Sequence, residues 1–212
     1  MTSFATAREE MVRRQIAGRG LHDPALLDAF RSVPREEFVA AALRPAAYQD
    51  RPLSIEADQT ISQPYIVALM IDAAGVRPGH HVLEVGAGSG YAAAVIGRIA
   101  AKVFAIERHG ELAALARKRM ERLGYSNVTI IEGDGTLGLP TEAPFDAILV
   151  AATGRAVPGG LVDQLKVGGH LVMPVGAPWS TQWLVRLIKQ ADGGIAEEPL
   201  CAVRFVPLVE SG

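Results

Sequence analysis

The segment VLEVGAGSGY, residues 82–91, predicts a strand, a glycine-rich loop and a helix in succession. A short apolar run ends at Val85, three glycines follow at positions 86, 88 and 90, and an alanine-rich run begins at Tyr91. Glycines at such a point let the backbone turn tightly and let a ligand approach the chain closely. The first N–H groups of the following helix lack partners within the helix. We therefore expect a ligand at this loop; the simpler interpretation is a tight strand-to-helix turn without one.

The side chains around the loop indicate what kind of ligand it binds. The dinucleotide fingerprint G-x-G-x-x-G does not fit, because Tyr91 stands where the third glycine would be. Glu84 would sit badly beside phosphates but suits a cationic amine. Glu107 follows about 20 residues later, where an acidic residue binds ribose hydroxyls in doubly wound folds. Asp134, within GDG at 133–135, adds an acceptor at the same edge.

An amine, a ribose and an adenine without a phosphate together describe S-adenosylmethionine, which we take as the predicted ligand. Each acidic residue also has a simpler interpretation. Glu107 could be a solvated strand end, and Asp134 could be a turn residue before Gly135.

The residues that flank the loop alternate between strand and helix patterns. Short apolar runs typical of strands occupy 81–85, 102–107, 127–134 and 145–150, and helical patterns occupy 91–101 and 111–124. Such alternation predicts a parallel sheet covered by helices on both faces. A short helix, GLVDQLK (160–166), follows Pro158. Three closely spaced strand patterns then end the chain at 170–176, 183–189 and 200–208, which predicts an antiparallel finish to the sheet.

The N-terminal part has a helical pattern. Residues 6–17 suit an amphipathic helix that ends at Gly18 and Gly20, and Asp23-Pro24 begins a second helix through about Val33. A short turn follows through Phe38 and Val39. We predict a single domain over 1–212, with a helical extension at 1–58 and an α/β core at 59–212.

Composition excludes several classes of protein. The 212 residues, 49% hydrophobic and 21% charged, are typical of one globular domain. A net charge of −2 gives no electrostatic reason to expect nucleic acid or an anionic membrane as a partner. Cys201 is the single cysteine, so an intramolecular disulfide is impossible and a reducing compartment is indicated. The first residues lack the apolar core of a signal peptide, and we predict a cytoplasmic protein.

Other catalytic chemistries find little support. The serine of GAGSG lies one position too late for the G-x-S-x-G hydrolase motif, and Cys201 lies in an apolar run typical of core. We predict no metal, because the five histidines lack metal-binding spacing. They are His22, His80, His81, His109 and His170.

Eight segments together resemble the protein-L-isoaspartate O-methyltransferase family, and the resemblance covers most of the chain. They are MVRRQIAGRGLHD (11–23), VPREEFV (33–39), YQD (48–50), QTISQPYIVALM (59–70), VLEVGAGSGY (82–91), GDG (133–135), PFDAILV (144–150) and VRFVPL (203–208). The glycine loop alone would indicate only a methyltransferase, whereas QTISQP, VPREEFV and VRFVPL together are far more specific. The resemblance implies the doubly wound, mostly parallel sheet of class I S-adenosylmethionine-dependent methyltransferases.

The resemblance also implies an activity. The methyl group of S-adenosylmethionine would pass to the free α-carboxylate of L-isoaspartyl residues in damaged proteins or peptides, leaving S-adenosylhomocysteine. The ester would collapse to a succinimide that reopens partly to normal aspartate. The partners implied are isoaspartyl proteins or peptides, and we expect a monomer.

The resemblance further implies the site residues. Ser62 would be the active-site hydroxyl, in a loop where Gln59, Thr60 and Ile61 also contact the substrate, with Gln182 as a further substrate-binding candidate. The simpler interpretation is that Ser62 only caps the helix beginning near Pro64. The cofactor-binding residues would be Glu84, Gly86, Gly88, Ser89, Gly90, Tyr91, Glu107, Asp134 and Gly135.

The chain departs from the family pattern just before this loop. LSIEADQTIS stands where PIGxGQTIS is usual, so Ser54, Glu56 and Asp58 replace a proline and two glycines. Ala151 also stands where threonine is frequent, with Thr153 nearby. Two added carboxylates beside a site that should bind a carboxylate would repel it, so these substitutions put the identity of the substrate in question. Two alternatives therefore stay open: an aspartate O-methyltransferase that tailors a dedicated peptide, and a non-catalytic S-adenosylmethionine-binding domain.

Overall fold

The computed structural model describes residues 3–177 and 180–209. Its strands are β1 (Leu53–Ser54), β2 (Thr60–Ile61), β3 (His81–Val85), β4 (Lys102–Glu107), β5 (Val128–Glu132), β6 (Phe145–Val150), β7 (Leu165–Val175), β8 (Gln182–Lys189) and β9 (Ile195–Val203). Its α-helices are α1 (Phe4–Met11), α2 (Pro24–Ser32), α3 (Pro64–Ala73), α4 (Tyr91–Gly97), α5 (Gly110–Leu123) and α6 (Gly159–Asp163). Among these residues no helix is long and apolar enough to cross a membrane.

Seven strands form one sheet in the order β5-β4-β3-β6-β7-β8-β9. The first five in this order are parallel, and β8 and β9 are antiparallel to their neighbours. The chain moves outward from β3 to β5 and then returns to the other side of β3 at β6. The strand order therefore reverses between β3 and β6, and ligands of doubly wound sheets bind at the carboxyl ends of the strands beside such a point. This confirms the predicted fold class.

The two faces of the sheet have separate apolar cores. Side chains alternate between the faces of a strand, so Val82 of β3 packs into one core, and Leu83 and Val85 pack into the other. The core that contains Val82 also receives the N-terminal helices, including Met11 and Phe30. The N-terminal extension thus covers one face of the sheet.

The first predicted helix is real but irregular. After α1 the chain makes a π-helical turn at Val12–Ile16 and a 3₁₀ turn at Ala17–Arg19, and it leaves this conformation at Gly20 with φ of 94°. The second predicted helix is confirmed as α2, where the Asp23 carboxylate accepts from the Leu26 N–H at 2.9 Å.

Several predicted boundaries were wrong. Helix α4 ends at Gly97 rather than at residue 101, and glycine is a poor helix former. Helix α6 ends at Asp163 rather than at residue 166, because strand β7, predicted to begin at 170, already begins at Leu165. The last strand covers Ile195–Val203 instead of 200–208, and its exposed, acidic first half explains why no apolar run marked it.

Candidate active site

The glycine loop, residues 86–90, turns in left-handed backbone conformations at the carboxyl end of β3. Gly86, Gly88 and Gly90 have φ of 90°, 52° and 87°, which side chains with a Cβ rarely adopt. The N–H groups of Gly86 and Ala87 donate to the Ile106 carbonyl at 2.8 and 3.0 Å. These bonds fix the start of the loop across the end of β4.

A cavity of about 340 Å³ opens between this loop and the segment 59–62. Most of the predicted site residues line it. They are Gln59, Thr60, Ile61, Ser62, Glu84, Gly86, Gly88, Ser89, Tyr91, Glu107 and Gly135. Three predicted residues are not among the lining residues: Gly90, Asp134 and Gln182. Gly90 instead faces α5, since a Cβ on it would lie 3.0 Å from the Met120 methyl group.

Glu84 is a buried carboxyl group in the wall of the cavity. Its side chain is 2% exposed, and its Oε2 has no hydrogen-bond partner among the described residues. Burial, and then the negative charge of Glu107, raise the pKa of Glu84 to about 8. An unpartnered carboxyl oxygen in a cavity wall is a group that a cationic amine would stabilise. The residue therefore fits the amine of S-adenosylmethionine.

Glu107 is held rigidly by backbone donors. Its Oε2 accepts from the Gly88 N–H at 2.8 Å, and its Oε1 accepts from the His109 N–H at 2.9 Å. Each carboxylate oxygen has two acceptor positions, so each can still accept a hydroxyl. The geometry suits a pair of ribose hydroxyls, and it argues against the simpler interpretation of Glu107 as a solvated strand end, since it is 4% exposed.

Asp134 and Gly135 lie at the end of β5 in different roles. The Asp134 carboxylate accepts from the Thr136 N–H at 2.9 Å and from its hydroxyl at 2.7 Å, and so caps a short 3₁₀ turn. Gly135 lines the cavity, and a Cβ there would lie 2.3 Å from a methyl group of Val85. The absence of a side chain at 135 therefore lets the turn approach β3.

The side chains of Ser89 and Tyr91 mainly contact other residues of the protein. The Ser89 hydroxyl accepts a long hydrogen bond of 3.4 Å from the Tyr91 N–H. The Tyr91 ring is buried and forms T-shaped contacts with Phe30 and Phe38, whose ring centroids lie 6.1 and 5.5 Å away. Both residues reach the cavity wall from the start of α4.

Ser62 does not cap the following helix. The N-cap position of α3 belongs to Gln63, and no side chain donates or accepts there. Within 3–177 and 180–209 the Ser62 hydroxyl has no hydrogen bond to other residues, and it lines the cavity. The simpler interpretation of Ser62 as a helix cap is therefore wrong, and its hydroxyl is available to a ligand.

Arg35 was missed as a site residue, although it lies within the VPREEFV segment. Its guanidinium is completely buried, donates to the carbonyls of Ala47 and Ser62 at 2.8 and 2.7 Å, and stacks 4.7 Å from the centre of the Tyr91 ring. Burial lowers the pKa of Arg35 from its usual value. The residue joins the N-terminal extension to the backbone of the Ser62 loop; a lone arginine among charged neighbours carries no sequence signal for such a role.

A second cavity of about 720 Å³ adjoins the first. Thr60, Ser62, Ala151, Val206 and Pro207 line both, so the two cavities meet at Ser62. The segment 204–208, part of the predicted last strand, is not a strand beyond Val203 and instead forms a wall of both cavities.

Gln182 lines the second cavity, and its side-chain amide already forms hydrogen bonds within the protein. Its Oε1 accepts from the Phe205 N–H at 2.6 Å, and its Nε2 donates to the Phe205 carbonyl at 3.2 Å. The side chain therefore holds the C-terminal segment in place. The Thr153 backbone also holds the C-terminal segment: its N–H donates to the Val206 carbonyl at 2.8 Å, and its carbonyl accepts from the Leu208 N–H at 2.7 Å. The Thr153 hydroxyl donates to the Gly176 carbonyl at 3.4 Å.

The two carboxylates that depart from the family pattern, Glu56 and Asp58, do not line the cavities. Glu56 lies 3.6 Å from Arg119 of α5. Within the described ranges, no group of three histidine, cysteine or acidic side chains is placed to hold a metal ion.

Comparison with known proteins identifies the family. The family Protein-L-isoaspartate(D-aspartate) O-methyltransferase matches residues 6–212. The chain belongs to this family. A protein-L-isoaspartate O-methyltransferase 2 of Pelobacter propionicus is 55% identical over 202 residues, which cover 95% of this chain and 90% of that protein. A protein-L-isoaspartate O-methyltransferase 1 of Rhodopseudomonas palustris is 53% identical over 98% of this chain and 85% of its own.

Solved structures of isoaspartate O-methyltransferases share the fold. One protein-L-isoaspartate O-methyltransferase has a TM-score of 0.84 and 31% identity, covering 94% of this chain and 65% of that one. A second, from Plasmodium falciparum, is described as such an enzyme in complex with S-adenosyl-L-homocysteine. It has a TM-score of 0.83 and 25% identity, and covers 96% of this chain and 99% of its own.

Proposed function

We propose that this chain transfers the methyl group of S-adenosylmethionine to the free α-carboxylate of L-isoaspartyl residues in proteins and peptides. The ester then initiates repair through a succinimide. Family membership supports the activity. The observation that carries it is the junction at Ser62, whose free hydroxyl lines both the cavity beside the glycine loop and the adjoining cavity.

The residues beside the glycine loop are assigned to the cofactor. Glu84 would hold the amine through its unpartnered oxygen, and Glu107 would hold the ribose hydroxyls with its fixed carboxylate. Gly86 and Gly88 would let the ligand lie close to the backbone, and Gly135 would complete the wall of the cofactor cavity where the turn after β5 approaches β3. When bound, S-adenosylmethionine supplies a methyl group made electrophilic by its sulfonium.

The acceptor needs no general base. A carboxyl group with an ordinary pKa near 4 is already ionised at neutral pH, so its oxygen is a nucleophile without help. The protein's task is to hold that oxygen beside the methyl group, which is catalysis by orientation. The Ser62 hydroxyl can donate a hydrogen bond to the carboxylate, and Arg35 fixes the Ser62 backbone by donating to the Ser62 carbonyl. Gln182 contributes by holding the wall formed by Phe205.

The alternative of a dedicated peptide-tailoring enzyme rested on Glu56 and Asp58. Neither residue lines a cavity, so the placement of these carboxylates does not favour a different substrate.

We also propose that residues 1–58 and 59–212 act as one domain, and that the protein is a cytoplasmic monomer without nucleic-acid or membrane partners. The shared apolar core supports the first point. The single cysteine and the net charge of −2 support the compartment and the lack of polyanionic partners. Sedimentation at several protein concentrations tests the monomer.

The deciding experiment uses two synthetic peptides that differ only in carrying isoaspartate or aspartate at one position. Each is incubated with the protein and labelled S-adenosylmethionine, and the product is tested for a base-labile ester. We expect label on the isoaspartyl peptide alone. Label on neither peptide, with cofactor binding intact by calorimetry, would contradict the proposed substrate.

A further inference from the structure

Helix α5 faces the glycine loop with one row of side chains. Ala116 and Met120 pack against Gly90, where a Cβ would lie 3.3 and 3.0 Å from their nearest atoms. Arg119 belongs to the same row, because residues three and four apart share a helix face. Its Nη1 donates to the Ser89 carbonyl at 3.2 Å. The guanidinium therefore already contacts the backbone of the loop.

The other end of the same guanidinium contacts the hairpin 53–61, which consists of β1, a tight turn and β2. Arg119 Nη2 lies 3.6 Å from Glu56 Oε1, and the two side chains are 12% and 30% exposed. The second Glu56 oxygen is buried and has no hydrogen-bond partner within the described part of the chain. Glu56 thus turns inward to Arg119.

An apolar contact lies beside this ion pair. The Ile55 side chain is 3.5 Å from the position that a Cβ on Gly88 would occupy. The hairpin 53–61 therefore lies beside the glycine loop at Ile55 and is joined to it through Glu56 and Arg119. Its second strand ends at Ile61, one residue before Ser62.

We propose that Glu56 and Arg119 form a positioning pair that fixes the hairpin 53–61, and with it Ser62, against the glycine loop. This inference rests on the proposed function, since it assigns the loop to the methyl donor and Ser62 to the acceptor. Arg119 binds the donor side at Ser89, and Glu56 binds the acceptor side. The glutamate that replaces a glycine of the family pattern therefore joins the two halves of the site.

The pair differs from an ordinary surface ion pair. Exposed pairs contribute little because water screens them, whereas removing one partner of a mostly buried pair leaves the other charge poorly solvated. Arg122, three residues further along α5, offers a matched control: it pairs with Glu37 at 2.7 Å, and its side chain is 53% exposed.

The test compares Glu56→Gln, Arg119→Gln, the double variant and the control Arg122→Gln. Calorimetry gives the dissociation constant of S-adenosylhomocysteine, and the isoaspartyl peptide gives kcat/KM. We expect each single variant to weaken S-adenosylhomocysteine binding about 3- to 10-fold and to lower kcat/KM about 10-fold, with the double variant no worse than Arg119→Gln. Arg122→Gln should leave both constants unchanged.

Two results would overturn the proposal. One is multiplication of the single effects in the double variant, because independent residues have additive free energies. The other is unchanged S-adenosylhomocysteine binding in both single variants, whatever happens to the thermal midpoint. S-adenosylhomocysteine binding is measured without a peptide, so the pair can be tested even if the wild type fails to label the isoaspartyl peptide. That failure would refute the proposed substrate and not the positioning pair.

Discussion

At the scale of single residues, the carboxyl group of Glu84 controls how pH acts on the cofactor site. Burial and the charge of Glu107 raise the pKa of Glu84 to about 8, so the group is mostly neutral at pH 6 and 7. A cationic amine binds the ionised form. Affinity for S-adenosylhomocysteine should therefore rise with pH, about tenfold per unit at most, and level off above pH 8.

Calorimetric titrations at pH 6, 7 and 8 check this dependence, and Glu84→Gln is the matched variant. The amide keeps the shape of the side chain but cannot ionise, so the variant should bind weakly at all three values. Affinity of the wild type that stays constant between pH 6 and 8 would contradict the assignment of the amine to Glu84.

The contribution of the Ser62 hydroxyl to activity can be measured apart from any effect on stability, because the hydroxyl caps no helix. We expect Ser62→Ala to leave the thermal midpoint and S-adenosylhomocysteine affinity unchanged. Its kcat/KM for the isoaspartyl peptide should fall about 10- to 100-fold, since a substrate-positioning hydrogen bond is lost. Ser54→Ala removes an exposed hydroxyl from the adjoining hairpin 53–61 and serves as the control. Full activity of Ser62→Ala would mean that the hydroxyl does not touch the acceptor.

At the scale of elements, the turn between β1 and β2 contains two non-glycine residues in the left-handed region. Ala57 and Asp58 have φ of 55° and 54°, and the Ile55 N–H donates to the Gln59 carbonyl across the turn at 2.9 Å. Hairpins with two such central residues favour glycine at the second, because a Cβ is strained there.

Asp58→Gly should therefore stabilise the protein by about 0.5–1 kcal/mol, once the greater freedom of glycine in the unfolded chain is subtracted. For a chain of this length the thermal midpoint would rise by about 1–4 °C. Scanning calorimetry measures the change. Ser54→Gly, placed in strand β1, should lower the midpoint instead. A lower midpoint for Asp58→Gly would show that the Asp58 side chain stabilises the turn.

The elements that sequence predicts well are those whose pattern arises from burial on both faces. Strands β3, β4 and β6 are apolar because helices cover them, and the glycine loop is marked by its left-handed residues. The edge strand β9 carries no such pattern, because much of it faces solvent. Contacts between distant segments, such as those of Arg35 with Ser62 and of Gln182 with Phe205, depend on the tertiary structure and have no local signal.

At the scale of the whole molecule, the N-terminal extension and the α/β core share buried surface. Phe30 and Phe38 pack on the ring of Tyr91, which begins the helix after the glycine loop, and Arg35 spans the same boundary. The opposite face of the sheet has its own core around Phe104 and Phe145, with ring centroids 6.2 Å apart. If the N-terminal extension and the α/β core are one domain, a substitution that disrupts the apolar core on either face of the sheet must lower the midpoint of one common unfolding transition.

Phe38→Ala and Phe145→Ala test this, because both rings are fully buried on opposite faces of the sheet. Each variant should lose about 3–5 kcal/mol of unfolding free energy. Far-UV circular dichroism and the loss of S-adenosylhomocysteine binding should follow the same transition in the wild type and in both variants. A separate early transition in Phe38→Ala, with the sheet signal intact, would mean that residues 1–58 unfold independently. Coincident transitions would instead mean that the extension, Arg35 and the Ser62 loop are lost together with the cofactor site, as a single cooperative unit requires.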